Sequence, residues 1–462
     1  MSDAKPTVLV MAAGHGTRMR SALPKVLHPV CGRPMLEWVT EAARAAGAGR
    51  IVCVTRPGDG VAEDLPDGVE SAEQREGEGT AAAVLAAREH IEPGAGVMIL
   101  SGDNPLIRSE LIAALWDAHR SAGAAATLLT TSELDPAGYG RVMRAPGGEV
   151  ERIVETKHAG GVPPDVLATR EINIGAYAFA GDDLIEALEA VTDIAGELYL
   201  TGVFPLLRER GRPIAAHETA DVSSAMGVNT RLDLIEVERH AQRRIIEHHA
   251  LAGVTFASAQ TASIDAAVEI GPDTVLEPGV TLRGETRVGA GCRVGPQTTL
   301  IDTTLGERVV VPHSYLVECA IRDGASIGPF AYVRPGTDVG ELAKIGTFVE
   351  VKNSRIGRGA KVPHLSYVGD ADVGEETNIG AGNITANYDG GRKLKHATKI
   401  GKRVKTGVHT SFVAPVDVGD DAYTAAGSVI TGDVPKGALG VARARQRNID
   451  GYAKRVEEDS RP

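Results

Sequence analysis

Cysteine is scarce: the 462 residues hold four, Cys31, Cys53, Cys292 and Cys319, far apart and without a C-x-x-C spacing. That spacing gives neither a disulfide framework nor a zinc site, so the simplest expectation is four core thiols in a reducing cytosol. Aromatics make up 4%, too few for platforms that stack single-stranded nucleic acid. The net charge of -12 also argues against nucleic acid as the main partner, although local Lys and Arg clusters can still hold small anions. No uncharged apolar run is long enough for a membrane helix, and Met1-Ser2-Asp3-Ala4-Lys5 leads into a strand pattern rather than a signal peptide. A soluble cytoplasmic protein with no membrane partner is expected.

Glycine, by contrast, is abundant, and much of it follows an aliphatic residue. Pairs begin at Ile270, Val288, Val294, Leu305, Ile327, Val339, Ile345, Ile356, Val368, Val373, Ile379, Ile400 and Val418, mostly in multiples of six or close to them. No helix heptad has that period. It predicts a hexapeptide-repeat β-helix in which each sixth aliphatic side chain points inward, the glycine takes the corner, and stacked coils share one core. From Lys436 onward the repeat stops.

Ahead of the repeat, aliphatic runs at 7–11, 51–54, 97–100 and 126–130 alternate with alanine-rich helical stretches at 35–46 and 80–90. Alternation of this kind implies an α/β Rossmann-like domain with a parallel sheet, whose sites lie in the loops after Met11 and Leu100. Residues 229–252 lack proline and glycine, and Leu234, Val237, Ala241 and Ile245 recur at helical steps. The expected organisation is therefore a domain over 1–228, a linker helix over 229–252, and a β-helix domain with its tail over 253–462. On that helix His240, His248 and His249 read as a partly solvated face rather than as metal ligands.

The first strand runs into Met11-Ala12-Ala13-Gly14-His15-Gly16-Thr17-Arg18-Met19, followed by Leu23-Pro24-Lys25. Small residues let backbone N–H groups approach an anion, and Arg18 and Lys25 add charge. Neither the Walker spacing nor the third glycine of the dinucleotide fingerprint is present. On these residues the chain resembles the sugar-nucleotide pyrophosphorylases. With the β-helix behind them, residues 7 to 450 resemble the family of bifunctional N-acetylglucosamine-1-phosphate uridyltransferases and glucosamine-1-phosphate acetyltransferases.

The resemblance implies that Met11, Ala12, Ala13, Gly14, Arg18 and Lys25 line the nucleotide of UTP and that Gln74, Gly79 and Thr80 contact its uracil. Gly77, Glu78 and Ala82 depart from the family's Gln-x-x-Gln-Leu-Gly-Thr-x-His. Ser101-Gly102-Asp103 matches a metal-binding strand end, with Asp103 and Asn229 as Mg2+ ligands, and Gly140, Glu155 and Asn173 match sugar-binding positions.

In the β-helix, Arg334, Lys352, His364, Tyr367 and Asn378 recur at steps of 18, 12, 3 and 11 residues, which can bring them together on adjacent coils or across a subunit boundary. The resemblance makes His364 the general base and gives Arg334, Lys352, Tyr367, Asn378 and Lys393 to the amino-sugar phosphate. Acetyl-CoA falls to Ala381, Asn387, Tyr388, Val408, Ala426 and Arg443. Val408 stands where the family tends to have serine, and the stretch from Tyr388 to Ile400 is longer than usual. The implied enzyme is a homotrimer that acetylates glucosamine-1-phosphate and then uridylylates the product with UTP, supplying a cell-wall precursor. A single-activity nucleotidyltransferase with a regulatory or oligomerising β-helix is the alternative.

Overall fold

The computed structural model describes residues 5–156, 162–193 and 196–460, which fall into two compact units, Met1–Arg244 and Ile245–Pro462. In the first, strands β1 (Thr7–Met11), β2 (Arg50–Thr55), β3 (Glu70–Glu73), β4 (Gly96–Ser101), β5 (Ala126–Thr131), β6 (Arg141–Arg144), β7 (Val150–Val154), β8 (Ile172–Ala180) and β9 (Ile214–Glu218) form one sheet. Its order is β9-β5-β8-β4-β1-β2-β3, with the β6-β7 hairpin reached through β8. Alternate residues of β1 face opposite sides. Val8 and Val10 pack with helix α1 (Met35–Ala45) and helix α3 (Ser109–Ala122), while Leu9 packs with α2 (Thr80–Ala86), α4 (Gly181–Leu188) and α5 (Val203–Glu209). The helical stretch expected over 80–90 is broken at Ala87, beyond which a short 3-10 turn carries Arg88–His90.

The sheet is not wholly parallel. β8 lies antiparallel between β5 and β4, and β6 and β7 pair antiparallel with each other. A strand covered on both faces reads as continuously apolar whichever way it runs, so composition does not encode its direction.

Helix α6 (Arg231–Leu251) occupies the expected linker position. The division between units falls inside it: Val237 and Ala241 are fully buried, Arg244 Nη1 donates to the Leu106 carbonyl at 2.7 Å, and Ile245 and Ile246 pack on the β-helix core. Of its histidines, His249 is buried rather than solvated, and burial pushes its pKa down, with His248 adding to the effect. Among the described residues no group of three His, Cys, Asp or Glu side chains could hold a metal.

The second unit is a left-handed parallel β-helix whose short strands form three ladders of seven, ten and nine. Its core is a column of Val, Ile and Leu interrupted by few larger side chains. Pairing begins at Thr255–Phe256, ahead of the first Ile-Gly pair, and continues to Leu439–Gly440, beyond the Lys436 at which the motif ends. The glycines of the pairs mostly do not take left-handed corners. Those corners belong to residues such as Gln297, His313, Phe330, Phe348 and Leu365, all at positive φ. A Cβ on Gly374 would instead lie 2.5 Å from the carbonyl carbon of Gly401 on the next coil. Close approach of coils, not turn geometry, selects that glycine. All four cysteines are buried and none is in a disulfide, and burial pushes the Cys53 thiol up to about 12 and that of Cys319 to about 11.

Candidate functional site

The carboxyl ends of β1, β2 and β4 open into a cleft of about 480 Å3. Met11, Ala12, Ala13, Gly14, Arg18, Lys25, Gln74, Gly79, Thr80, Ser101, Asp103 and Asn229 all line it, so most of the expected nucleotide residues are gathered in one place. The glycine-rich loop lies against Lys25: Gly16 has φ +59, and a Cβ there would be 2.8 Å from that of Lys25. Gly102 lies behind the lining, its N–H donating to the Met11 carbonyl at 3.0 Å.

Two oxygens converge on the floor. Ser101 Oγ donates to Asp103 Oδ1 at 2.7 Å, and the ammonium of Lys25 bonds Asp103 Oδ2. Lys25 also reaches Asn229 Oδ1 at 3.4 Å, and Arg18 Nη2 donates to that oxygen at 2.8 Å. Asn229 is held in turn, since its N–H donates to Asp233 Oδ2 at 2.9 Å. A carboxylate and an amide oxygen set against positive charge suit a hard divalent cation that takes its remaining ligands from phosphate and water.

Gly140, Glu155 and Asn173 form a neighbouring arm. Asn173 N–H donates to the Gly140 carbonyl at 2.9 Å, Asn173 Nδ2 to the Tyr177 hydroxyl at 2.6 Å, and Thr201 Oγ1 to Glu155 Oε1 at 3.0 Å. Burial lifts the Tyr177 hydroxyl above the ordinary tyrosine range, so it stays protonated. Gln74 is turned into its own loop, where Nε2 donates to the Gly77 carbonyl at 3.0 Å.

Sequence reasoning missed Arg56, Glu78, His15, Glu197 and Tyr199, which also line the cleft. Arg56 bonds the Ala13 carbonyl and reaches Glu78 through both terminal nitrogens, at 3.3 and 2.6 Å. Its guanidinium holds the Glu78 carboxyl below the usual range, with His15 adding to it. The signal was available, because Arg56 follows β2 as directly as Ala12 follows β1.

In the β-helix the coil register sorts the expected residues into two files. On one ladder Arg334 N–H donates to the Val351 carbonyl at 2.8 Å, Lys352 pairs with Gly369, and Tyr367 pairs with Glu350. Arg334 Nη1 donates to Glu350 Oε1 at 2.7 Å. On the next ladder His364, Ala381, Val408 and Ala426 follow one another coil by coil. Their carbonyls or neighbours are joined by Gly382 N–H to His364 O at 3.2 Å, His409 N–H to Ala381 O at 2.8 Å and Gly427 N–H to Val408 O at 2.9 Å. His364, Val408 and Ala426 are exposed. The exposed Arg443 comes within 3.9 Å of where a Cβ on Gly427 would stand, at the far end of that file.

Asn387 and Tyr388 open a hairpin, Tyr388–Asp389 against Leu394–Lys395, which accounts for the long step before Ile400. Asn387 Nδ2 bonds Asp370 Oδ2 and lies 3.5 Å from the Tyr367 hydroxyl. Lys393 sits at the turn with φ 55. Asn378 stands apart: it pairs with Lys361 and Lys405, three residues and so about 10 Å along the strand from the file of His364.

A nucleotide cleft at the strand ends followed by a parallel β-helix defines a nucleotidyltransferase with a second, repeat-built domain, and residues 8–201 match the MobA-like NTP transferase domain. The chain is 44% identical over 460 residues to the bifunctional protein GlmU of Heliobacterium modesticaldum (strain ATCC 51547 / Ice1), covering 99% of each. It is 44% identical to the protein of that name from Listeria monocytogenes serotype 4b (strain CLIP80459), over 98% of this chain and 99% of that one. The Shouchella clausii (strain KSM-K16) protein is 44% identical over 97% and 98% respectively. The chain belongs to the bifunctional GlmU family.

Proposed function

We propose that this chain makes UDP-N-acetylglucosamine in two steps, acetylating glucosamine-1-phosphate on the β-helix and uridylylating the product in the α/β cleft. The observation that carries this reading is the file of His364, Ala381, Val408 and Ala426 beside Arg334, Lys352 and Tyr367, a second constellation separate from the cleft.

In the first step His364 takes a proton from the amino group, because an ammonium has no lone pair with which to attack a thioester. The freed nitrogen forms a bond to the acetyl carbonyl carbon, and the carbon–sulfur bond breaks to release CoA as its thiolate. Backbone N–H groups or the Asn387 amide steady the developing oxyanion. The pantetheine arm lies along Ala381, Val408 and Ala426, with the Arg443 guanidinium for a phosphate. Exposed Val408 offers its backbone where a hydroxyl would otherwise serve.

In the second step the sugar-1-phosphate oxygen attacks the α-phosphorus of UTP and pyrophosphate leaves. Lys25 and Arg18 neutralise phosphate charge, and Gly140, Glu155 and Asn173 orient the sugar. Asp103 and Asn229 would hold Mg2+, which when bound draws charge from the phosphate oxygens.

The position of Asn378, about 10 Å along the strand from the file of His364, supports a homotrimer in which a neighbouring subunit contributes to the acetyl site. Exposed Phe330, Phe348 and Leu365 on one corner of the coils supply an apolar surface for it. The absence of disulfides among the four cysteines is in keeping with a cytoplasmic location. Two assays test the reading: CoA release from acetyl-CoA with glucosamine-1-phosphate, and pyrophosphate release from UTP with N-acetylglucosamine-1-phosphate. Pyrophosphate without CoA would leave a single-activity nucleotidyltransferase.

A further inference from the structure

We infer that Thr80 is a positioning residue for the sugar substrate: through the segment 197–201 it fixes Glu155, so the loop expected to read the base also governs how tightly the sugar phosphate is held. The inference rests on the uridylyl-transfer reading above and extends it to a link between the two halves of the cleft.

The loop before α2 is bonded to that segment along its length. Leu198 N–H donates to the Glu78 carbonyl at 2.8 Å, and Ala81 N–H donates to the Leu198 carbonyl at 2.8 Å. Thr80 Oγ1 accepts the Leu200 N–H at 2.8 Å. The two stretches of backbone approach so closely that a Cβ on Gly79 would lie 2.4 Å from the Leu198 carbonyl oxygen. Of these bonds only the one at Thr80 uses a side chain, so it is the one that substitution can remove.

The far end of the segment reaches the sugar arm. Thr201 Oγ1 donates to Glu155 Oε1 at 3.0 Å, and both Glu155 carboxylate oxygens lie 3.7 Å from where a Cβ on Gly140 would stand. Leu200 and Thr201 are buried, and Leu200 is part of the core that α2 shares with the sheet. The single step from the Thr80 bond to the Glu155 bond therefore runs through packed chain. Without the Thr80 oxygen the Leu200 N–H loses its acceptor inside that core, and a buried backbone donor is costly to leave unpaired. The segment shifts to find another partner, and Thr201 and Glu155 shift with it. The hydroxyl hydrogen of Thr80 can still be donated into the cleft that the residue lines, so a contact with the base and the hold on Leu200 coexist.

The test uses the full-length protein, with N-acetylglucosamine-1-phosphate varied at saturating UTP and Mg2+. Thr80→Val, close to threonine in shape but without the oxygen, should raise KM for the sugar phosphate about five- to tenfold, the worth of one hydrogen bond to a buried donor. Thr80→Ala should do the same, which keeps the test open if valine at the head of α2 prevents folding. Thr80→Ser restores the acceptor and should recover most of the loss. A second readout needs no turnover: UDP-N-acetylglucosamine should raise the melting temperature of the unaltered protein further than UDP does, and Thr80→Val should lose most of that difference. No added shift in the unaltered protein would overturn the uridylyl-transfer reading and this inference together. An added shift kept in Thr80→Val, a KM increase confined to UTP, or no recovery with serine would overturn this inference alone.

Discussion

His364 and Ala381 occupy the same lateral position on successive coils, with the His364 carbonyl accepting the neighbouring Gly382 N–H at 3.2 Å. The residue proposed as general base thus heads the file proposed for acetyl-CoA. His364→Ala should reduce acetyl transfer by about 10²-fold or more, the usual worth of a positioned base, and leave pyrophosphate release intact. Loss of both steps in folded protein would contradict separate sites.

In the cleft, Asp103→Asn removes the charge that bonds Lys25 and that, on the proposed reading, would hold a divalent cation. Uridylyl transfer should fall by about 10²-fold and its dependence on Mg2+ concentration should move to higher values, with CoA release unaffected. Titrating the metal in both proteins gives the comparison.

Arg56 ties the loop after β1, at Ala13, to the loop after β3, at Glu78. The pair is partly exposed, with side chains 23% and 48% accessible, so its contribution is modest. Arg56→Ala should raise KM for UTP by about two- to fivefold, corresponding to roughly 0.5–1 kcal/mol. A kcat effect without a KM effect would point to chemistry instead.

Gly374→Ala puts a methyl against the Gly401 backbone and should destabilise the β-helix by about 1–3 kcal/mol. Gly432→Ala, where nothing lies within 4 Å of the new Cβ, provides the control and should unfold at nearly the original temperature.

His119 is buried against Trp116 and Thr127, and burial pushes its pKa from 6.5 down to about 4. Between those values the unfolded chain binds the extra proton and the folded chain does not. The stability from the neutral ring is therefore full above pH 6.5 and is lost as pH falls towards 4, at a limiting slope of about 1.4 kcal/mol per unit. Urea midpoints at several pH values should show a shallower fall in His119→Gln than in the unaltered protein.

The sequence made some of this legible and hid the rest for physical reasons. The run 7–11 is strand β1 to the residue, because a buried parallel strand ending in small residues has few other readings. The file of His364 is harder. Its members are separated by 17, 27 and 18 residues, and only the coil register shows that these unequal steps are equivalent. The roles along it came from family resemblance, not from spacing. Asn378, at a plausible spacing from Tyr367, lies at the other edge of a strand, since spacing alone does not say which ladder a residue joins. Arg56 escaped because the strand-end rule was applied to β1 and β4 but not to β2.

The hairpin carrying Lys395 interrupts the chain but not the stack. Ala371, Asp372 and Val373 pair with Thr398, Lys399 and Ile400 in unbroken register, as if the intervening segment were absent. Coil pairing is therefore independent of the hairpin. The hairpin can lengthen, shorten or change its charges while the core beneath it keeps its packing, so whatever it contacts can be altered, by selection or by design, at little cost to the coils that hold it.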